Sequence, residues 1–212
     1  MTNCINNVSL KGKVSSGLKK LNYGNLYEFE LSIKRFSGVC DTVNVMFDKD
    51  EFEYETIDKI DVGNFLSING YVSTYNSWNP VENKKNLMVK VRVTQIDEAP
   101  AESYLNHVHV EGTLTKDPIL RQTPQKNIDI IDTVIHNVFN DNHNFVPIIA
   151  WDKGTSYLKN AKKGDFAIIK GRFQSRAYNK HFEDGSTVSK TAYEVSAYYV
   201  ETIDIHPNAN IF

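Results

Sequence analysis

The chain of 212 residues contains few cysteines and no long apolar run. Its two cysteines, Cys4 and Cys40, are too few for a disulfide framework or a four-thiolate zinc site. No apolar stretch approaches the roughly 18 residues of a membrane-spanning helix. Residues 1–10 lack the basic and apolar segments of a secretion signal. We therefore expect reduced, structural thiols and a cytoplasmic protein.

Motifs for catalysis, cofactor binding and metal binding are missing as well. The sequence contains neither the Gly-x4-Gly-Lys-Ser/Thr loop of nucleotide hydrolases nor the Gly-x-Ser-x-Gly elbow. Its acids do not pair in a pattern recognisable for a two-metal nuclease. His107 and His109 share a strand face, but no cysteine lies near them and we interpret them as solvated side chains. The sequence thus predicts a protein that is not an enzyme and needs no cofactor.

Neither sign of charge dominates, since 24 basic residues oppose 26 acidic ones. The formal net charge of -2 excludes a histone-like polycation but allows a localised basic face. Residues 153–180 hold eight bases and one acid, a balance of +7, whereas residues 48–61 hold seven acids and two bases, a balance of -5. Such runs are commonly solvated faces. The basic run also contains aromatic residues, which makes it a candidate binding surface.

The chain contains two copies of one sequence unit. Four segments return in the same order at offsets of 100 to 107 positions: 8–14 as 108–114, 45–49 as 149–153, 62–70 as 163–171, and 91–97 as 198–204. A polar stretch containing Pro100 lies between the copies and is typical of a linker. We predict a first domain over 1–98, a linker over 99–105, a second domain over 106–205 and a short tail over 206–212.

Both copies follow the same order of predicted elements. The strands fall at 8–14, 27–36, 42–47, 65–75 and 87–96 in the first copy, and at 108–114, 128–138, 145–151, 166–178 and 191–203 in the second. A helical stretch, 50–60 or 154–161, separates the third strand from the fourth. This order is that of the OB-fold, a five-stranded Greek-key barrel. The predicted fold class is therefore all-β with one short helix per unit, arranged as two tandem OB-fold barrels. The alternative is a single sandwich of about ten strands, against which the repeated helix and glycine argue.

The fourth strand of the second copy carries the clearest binding pattern. Side chains alternate across a strand, so that Ile169 and Phe173 share a plausible core face. The opposite face is a row of polar and cationic side chains that ends in an aromatic ring: Lys170, Arg172, Gln174, Arg176 and Tyr178. Cations attract phosphates and rings accept stacked bases. A solvated face with an edge tyrosine is the alternative interpretation.

The first copy shows a weaker version of this pattern. Its second strand places Lys34 and Phe36 on one face, and its fourth strand carries Tyr75 without neighbouring cations. Trp78 is expected in the loop after that strand, among polar residues. An exposed tryptophan usually contacts another molecule.

Over roughly residues 106–204, the second copy resembles the bacterial single-stranded DNA-binding protein (SSB) family. Residues 106–118 resemble that family's opening strand and Asp-Pro turn, and residues 120–124, which include Arg121, resemble the Arg and Pro that follow. Residues 157–165 resemble its helix and Lys-Gly turn. Residues 171–178 resemble its Gly-x-Leu-x-Thr-Arg-x-aromatic strand. Taken in order, these motifs are more specific than any of them alone.

In that family, single strands wrap around the barrel and stack on a few aromatic rings. Carried over by position, those rings are Phe139, Phe145, Trp151 and Tyr178, of which Phe145 and Trp151 should lie on one face of the third strand or belong to the core. The expected nucleic-acid contacts also include the second copy's cations Arg121, Lys153, Lys170, Arg172, Arg176 and Lys180. In the first copy, the repeat extends the expectation to Lys34, Phe36, Phe47, Tyr75 and Trp78.

Two features depart from the family pattern. Pro147 removes a hydrogen-bond donor from the third strand and predicts an edge or a bulge there. The chain also has two copies rather than one, and residues 205–212 lack the family's acidic tail, which puts partner recruitment by such a tail in doubt. Relatives with two barrels per chain assemble as dimers, so the resemblance implies a homodimer.

These observations predict non-catalytic binding and protection of single-stranded DNA in replication, recombination or repair. The expected partners are single-stranded DNA, a second copy of the chain, and replication or recombination proteins. One alternative is a protein-interaction module in which only one barrel binds DNA, and another is a nuclease on an OB scaffold. The abundance of Asn, Lys and Ile suggests an AT-rich genome, and hence a bacterial cytoplasm or nucleoid, or a phage or mobile element.

Overall fold

The computed structural model describes residues 4–22, 24–80, 82–123, 126–181 and 185–204, without the side chains at 153 and 181. The first copy comprises β1 Asn6–Val14, β2 Lys19–Lys20, β3 Leu26–Lys34, β4 Cys40–Asp48, α1 Tyr54–Ile57, β5 Phe65–Asn79 and β6 Lys84–Glu98. The second comprises β7 Leu105–Leu114, β8 Ile119–Gln122, β9 Asp129–Phe139, β10 Asn142–Trp151, α2 Thr155–Leu158, β11 Phe166–His181 and β12 Thr187–Ile203. No helix of the described residues is long and apolar enough to cross a membrane.

This architecture confirms the predicted fold class of two five-stranded barrels, each with a helix between its third and fourth main strands. The two predicted helices are shorter than expected, because each stretch begins with a 3-10 turn and its α-helix has four residues. The strands β2 and β8 were not predicted from the sequence. Every residue of these two strands is exposed, so neither strand shows the alternation that marks a half-buried strand.

Each barrel closes through the same two pairings. In the first copy, β1 pairs with β3 and β4 runs parallel to β6; in the second, β7 pairs with β9 and β10 runs parallel to β12. The parallel pairing with β12 begins at Ile148. Pro147 therefore lies just outside the doubly paired part of β10, as its missing N–H group requires.

The two barrels join into one sheet through their first strands. β1 and β7 pair antiparallel from Asn6 opposite Val110 to Lys11 opposite Leu105. Val8 lies directly opposite Val108, its own equivalent in the repeat. The two copies are thus related by a local twofold arrangement at this strand pair, and the pairing covers two strand edges that would otherwise be open.

Asparagine side chains extend this junction beyond the ends of the strand ladders. Asn6 Nδ2 donates to Val72 O at 2.9 Å, and Val72 N donates back to Asn6 Oδ1 at 2.8 Å. Asn106 makes the same pair of bonds with the backbone of Phe173, at 2.7 and 2.8 Å. Each asparagine therefore acts as one more backbone unit in the ladder and fixes where the neighbouring long strand leaves the barrel.

Beyond their pairing with β1 and β7, the long strands form two hairpin arms, whose bases still pair within the barrels. β5 pairs with β1 only over residues 65–70, and the first arm consists of residues 71–79 and 84–92. The second arm consists of residues 172–181 and 187–196, beyond the pairing of β11 with β7. Thr74 N of the first arm donates to Asn144 Oδ1 of the second copy, and Thr42 N of the first copy donates to Ser175 Oγ of the second arm. Each arm therefore lies against the other copy's barrel.

The glycines of the repeat are explained by close backbone approach. A Cβ on Gly171 would lie 2.5 Å from Ser196 O, and one on Gly12 would lie 2.7 Å from Ser32 O. These positions are where strands of one barrel cross closely. A methyl group there would force the strands apart.

Replacing Gly171 by Ala should therefore lower the free energy of unfolding by about 1–3 kcal/mol, the usual cost of overpacking. For a chain of this size, that corresponds to a fall in Tm of about 2–12 °C in a thermal melt. Gly17→Ala is the matched control, because a Cβ on Gly17 meets nothing within 4 Å. Equal melting temperatures for the two variants would contradict this account of the repeat glycines.

Candidate nucleic-acid interface

In the second copy, the predicted aromatic residues lie along β9, β10 and the second arm. Phe145 is 45% exposed, and its ring stacks on His136 at 5.1 Å between centroids. Phe139 is half-buried and its ring lies 5.0 Å from that of Tyr71, which belongs to the first arm. Tyr178 is 39% exposed. These rings thus remain at least partly available for a ligand.

Trp151 lies at the end of β10 in an open groove. Strand β10 keeps a continuous register with β9 from Asn142 to Trp151, so Trp151 and Phe145 lie on one side of the strand. The half-buried indole lines a groove of about 390 Å³ together with Arg172 and Tyr198. Its Nε1 is buried and makes no hydrogen bond within the described residues. A flat ring, a guanidinium and a phenol in one groove suit a stacked base beside a phosphate.

The first-copy ring that the repeat aligns with Trp151, Phe47, is a correction to the sequence prediction. Its exposed fraction is 0%, so it cannot stack on a base. Phe52, which follows β4, packs edge-on against it at 5.5 Å, and Tyr27 and Phe29 pack within 6.2 and 6.3 Å. Phe47 is therefore a core residue, because it lies on the inward face of β4 with Val43 and Val45.

The other residues predicted in the first copy are accessible. Phe36 is fully exposed at the turn between β3 and β4, and Lys34 is exposed at the end of β3. Trp78 is 57% exposed, although it lies within β5 on the first arm and not in a loop as predicted. Tyr75 is half-buried, with the Lys90 ammonium 5.8 Å from its ring centroid.

The cationic row on β11 has carboxylate partners that lie far away in sequence. Arg176 Nε lies 3.1 Å from Glu194 Oε1, and Lys180 Nζ lies 2.6 Å from Glu82 Oε2 on the first arm. The Lys170 ammonium lies 5.5 Å from the ring centroid of Tyr199. Outside this row, Arg121 pairs with Asp132, and the prediction at Lys153 falls on a side chain outside the described part. The charge of +7 counted along residues 153–180 is thus partly neutralised in the fold.

Arg172 is partly desolvated. Burial lowers its pKa below the ordinary arginine value, and the positive charge of Arg35 lowers it further, while Asp41 opposes the shift. Its Nε lies 3.7 Å from Asp41 Oδ2, too far for a hydrogen bond, and its Nη2 donates to Gln174 Oε1 at 2.7 Å. The guanidinium stays charged at neutral pH. An anion in the Trp151 groove would supply the charge-assisted partner that Arg172 lacks.

Several accessible residues escaped the sequence analysis. Tyr198 and Tyr199 are 60% and 43% exposed on β12, and Tyr193 and Lys190 line a groove between the arms. The repeat already contained a signal for the first two, since residues 91–97 return as 198–204. No sequence pattern predicted the groove between the arms, because residues from both copies line it. Among the described residues, no group of three or more His, Cys, Asp or Glu could hold a metal ion.

Comparisons with known proteins agree with this geometry. The model of the single-strand binding protein family matches residues 105–203. The single-stranded DNA-binding protein of Mycoplasma pneumoniae is 29% identical over 96 residues, which cover 44% of this chain and 58% of that protein. Single-stranded DNA-binding protein 2 of Chlorobaculum tepidum is 30% identical over 110 residues, which cover 47% of this chain and 72% of that protein.

Solved structures extend the likeness to the whole chain. Crystal structures of the single-stranded DNA-binding protein from Thermus aquaticus superpose with a TM-score of 0.72 at 22% identity, both for the wild type and for a deletion mutant. The wild-type match covers 97% of this chain and 96% of that protein. At this identity the structural match shows the fold of both copies, whereas the sequence matches show the family relationship. The chain belongs to the single-strand binding protein family.

Proposed function

We propose that the protein binds single-stranded DNA without catalysis and protects it during replication, recombination or repair. The observation that carries this proposal is the second copy's groove, in which Trp151, Tyr198 and the poorly partnered cation Arg172 meet. Bases would stack on the rings and phosphates would pair with the cations, a mode that reads little sequence. Kinship with the family supports the same function and a cytoplasmic location.

The two tryptophans provide a test, since each copy contains one. Trp151→Phe leaves Trp78 as the reporter of the first copy, and Trp78→Phe leaves Trp151 as the reporter of the second. Titration with oligo-dT of about eight nucleotides, within the range that one barrel covers, should quench both fluorescence signals. We expect the Trp151 signal to saturate first, because the first copy buries Phe47 and keeps the acidic run 48–61 nearby.

Three outcomes of this titration have different meanings. If neither signal changes, the proposed function is wrong. If only the Trp151 signal changes, the second candidate function gains support, namely a module whose first barrel holds a protein partner. The burial of Phe47 favours that candidate, because it leaves the first barrel with one ring fewer for stacking. Quenching of both signals with equal midpoints would contradict the inequality of the two copies.

Two predictions remain proposals: that the first domain ends at residue 98 and the second begins at residue 106, and that the protein is a homodimer. Pairing of open strand edges could join barrels of two chains, but in this chain such pairing occurs internally between β1 and β7. A homodimer is therefore supported by the family resemblance rather than by an open edge. Sedimentation equilibrium should give twice the chain mass of 24.2 kDa if the proposal holds.

A further inference from the structure

The tips of the two arms meet at a single carboxylate, that of Glu82. Lys180 Nζ and Lys84 Nζ lie 2.6 and 2.9 Å from its Oε2, and Lys190 pairs with its Oε1. The Glu82 side chain is only 8% exposed, whereas those of the three lysines are 22–49% exposed. Two of these lysines belong to the second arm and one to the first. The carboxylate therefore links the two copies at a point far from β1 and β7.

This cluster gathers several cations around one carboxylate. Among the described residues, three ammonium groups face Glu82. Contact with Lys84 lowers the pKa of Lys180 below the ordinary lysine value, as expected where cations crowd together. Such a cluster attracts a further anion or a more highly charged replacement for the carboxylate.

The cluster also borders a groove of the size and chemistry that a nucleotide needs. The groove measures about 310 Å³, and its lining includes Tyr178, Tyr193, Leu87 and Met88 together with the three lysines. Tyr178 lies directly across the hairpin from Lys190. A ring available for stacking thus stands next to ammonium groups that could pair with the adjoining phosphate.

We propose that Glu82 occupies a phosphate subsite built by Lys84, Lys180 and Lys190, and that a bound single strand displaces it. A carboxylate and a phosphodiester both offer two anionic oxygens to ammonium donors. Ion pairs of partly exposed lysines are weak, because water and salt screen them, so a polyanion can compete for them. Glu82 thereby acts as a built-in competitor that keeps the arms together while DNA is absent. This inference rests on the proposed function.

The first test compares Glu82→Gln with wild type in titrations with oligo-dT at several salt concentrations. The variant should bind about two- to tenfold more tightly at low salt, since it breaks no ion pair on binding. Its slope of log K against log salt should be steeper by about 0.7 for each phosphate contact that Glu82 opposes. Glu98→Gln is the matched control, because it removes the same charge at the opposite end of β6.

The outcomes separate the subsite from the function on which it rests. Unchanged or weaker binding by Glu82→Gln, with normal binding by wild type and Glu98→Gln, would mean that Glu82 is a fixed structural link and would overturn the subsite. If wild type itself fails to bind oligo-dT, the proposed function fails instead.

A second test needs no substitution. A carbodiimide joins carboxylates to amines in contact, so peptide mass spectrometry should find Glu82 linked to Lys180 and Lys190 in the free protein. Saturating oligo-dT with a 5′-hydroxyl should suppress these links, while the Lys19–Glu28 link, with its 3.4 Å contact, reports that the reagent is active. Formation of the inter-arm links to the same extent on saturated protein would overturn the displacement of Glu82.

Discussion

Replacing Trp151 or Tyr178 by Ala is expected to weaken binding of oligo-dT by about 1–3 kcal/mol for each ring, or about 5- to 150-fold. Trp151 shares its groove with Arg172, and Tyr178 borders the groove between the arms. Both rings can therefore combine stacking with a nearby cation. Equilibrium titration followed by fluorescence anisotropy of a labelled oligo-dT would measure the loss.

The control for this experiment is Tyr54→Ala. Tyr54 is 67% exposed on α1 and belongs to neither groove, so its loss should leave affinity unchanged. Thermal melts should accompany each titration, because Trp151 is half-buried and its truncation also removes packing. If both variants fold normally and bind like wild type, the rings have been assigned to the wrong surface.

Removing the charges of Arg172 and Arg176 should flatten the slope of log K against log salt by more than one. Each phosphate contact on a single strand contributes about 0.7 to that slope. Arg172 is the stronger candidate of the two, because Asp41 is its only carboxylate neighbour in the described part and lies beyond hydrogen-bond range. The measurement is a series of titrations of Arg172→Gln/Arg176→Gln between low and moderate salt.

Because Arg176 forms an ion pair with Glu194, the double variant needs a further substitution. The side chain of Glu194 is 8% exposed, and an unpaired carboxylate at that depth destabilises a protein. Adding Glu194→Gln removes this cost and separates a folding defect from a binding defect. Lys13→Gln/Lys116→Gln is the charge-matched control, since both lysines are exposed and lie on neither arm. A slope that stays the same while affinity falls would point to lost packing rather than lost phosphate contacts.

The accessibility of the rings proposed for stacking was predicted with mixed success, for a physical reason. Position in the repeat aligned Phe47 with Trp151 in their third strands. In the structure Phe47 pairs with Tyr27, whereas its equivalent on β10 is Ala150, which pairs with Ile131. Exposure was not encoded by that position. It depends on which face of its strand a side chain takes. Phe47 shares the inward face of β4 with Val43 and Val45, whereas Trp151 follows the inward-facing Ala150 and lies on the other face of β10. A shift of one residue between the copies thus moves the ring from the accessible face of the strand to its core face.

The charge of the proposed binding surface was misjudged because it too depends on residues from elsewhere in the chain. Counting along the sequence found a single acid, Asp165, among the bases of 153–180. The fold brings Glu82 to Lys180 across 98 residues and Glu194 to Arg176 across 18. Sequence neighbours therefore describe charge density along a strand, while the net field at a phosphate depends on the strands and arms packed beside it.

By itself, the sequence determined the order of strands, the two copies and the alternating faces of β11, because periodic burial and repeated glycines are local properties of the chain. It also determined the family, through motifs held in order over the second copy. Only the tertiary structure decided that β1 pairs with β7, that each arm lies against the other barrel, and which cations keep a carboxylate partner. These features arise where residues far apart in the chain meet across the local twofold, and no pattern within one copy specifies them.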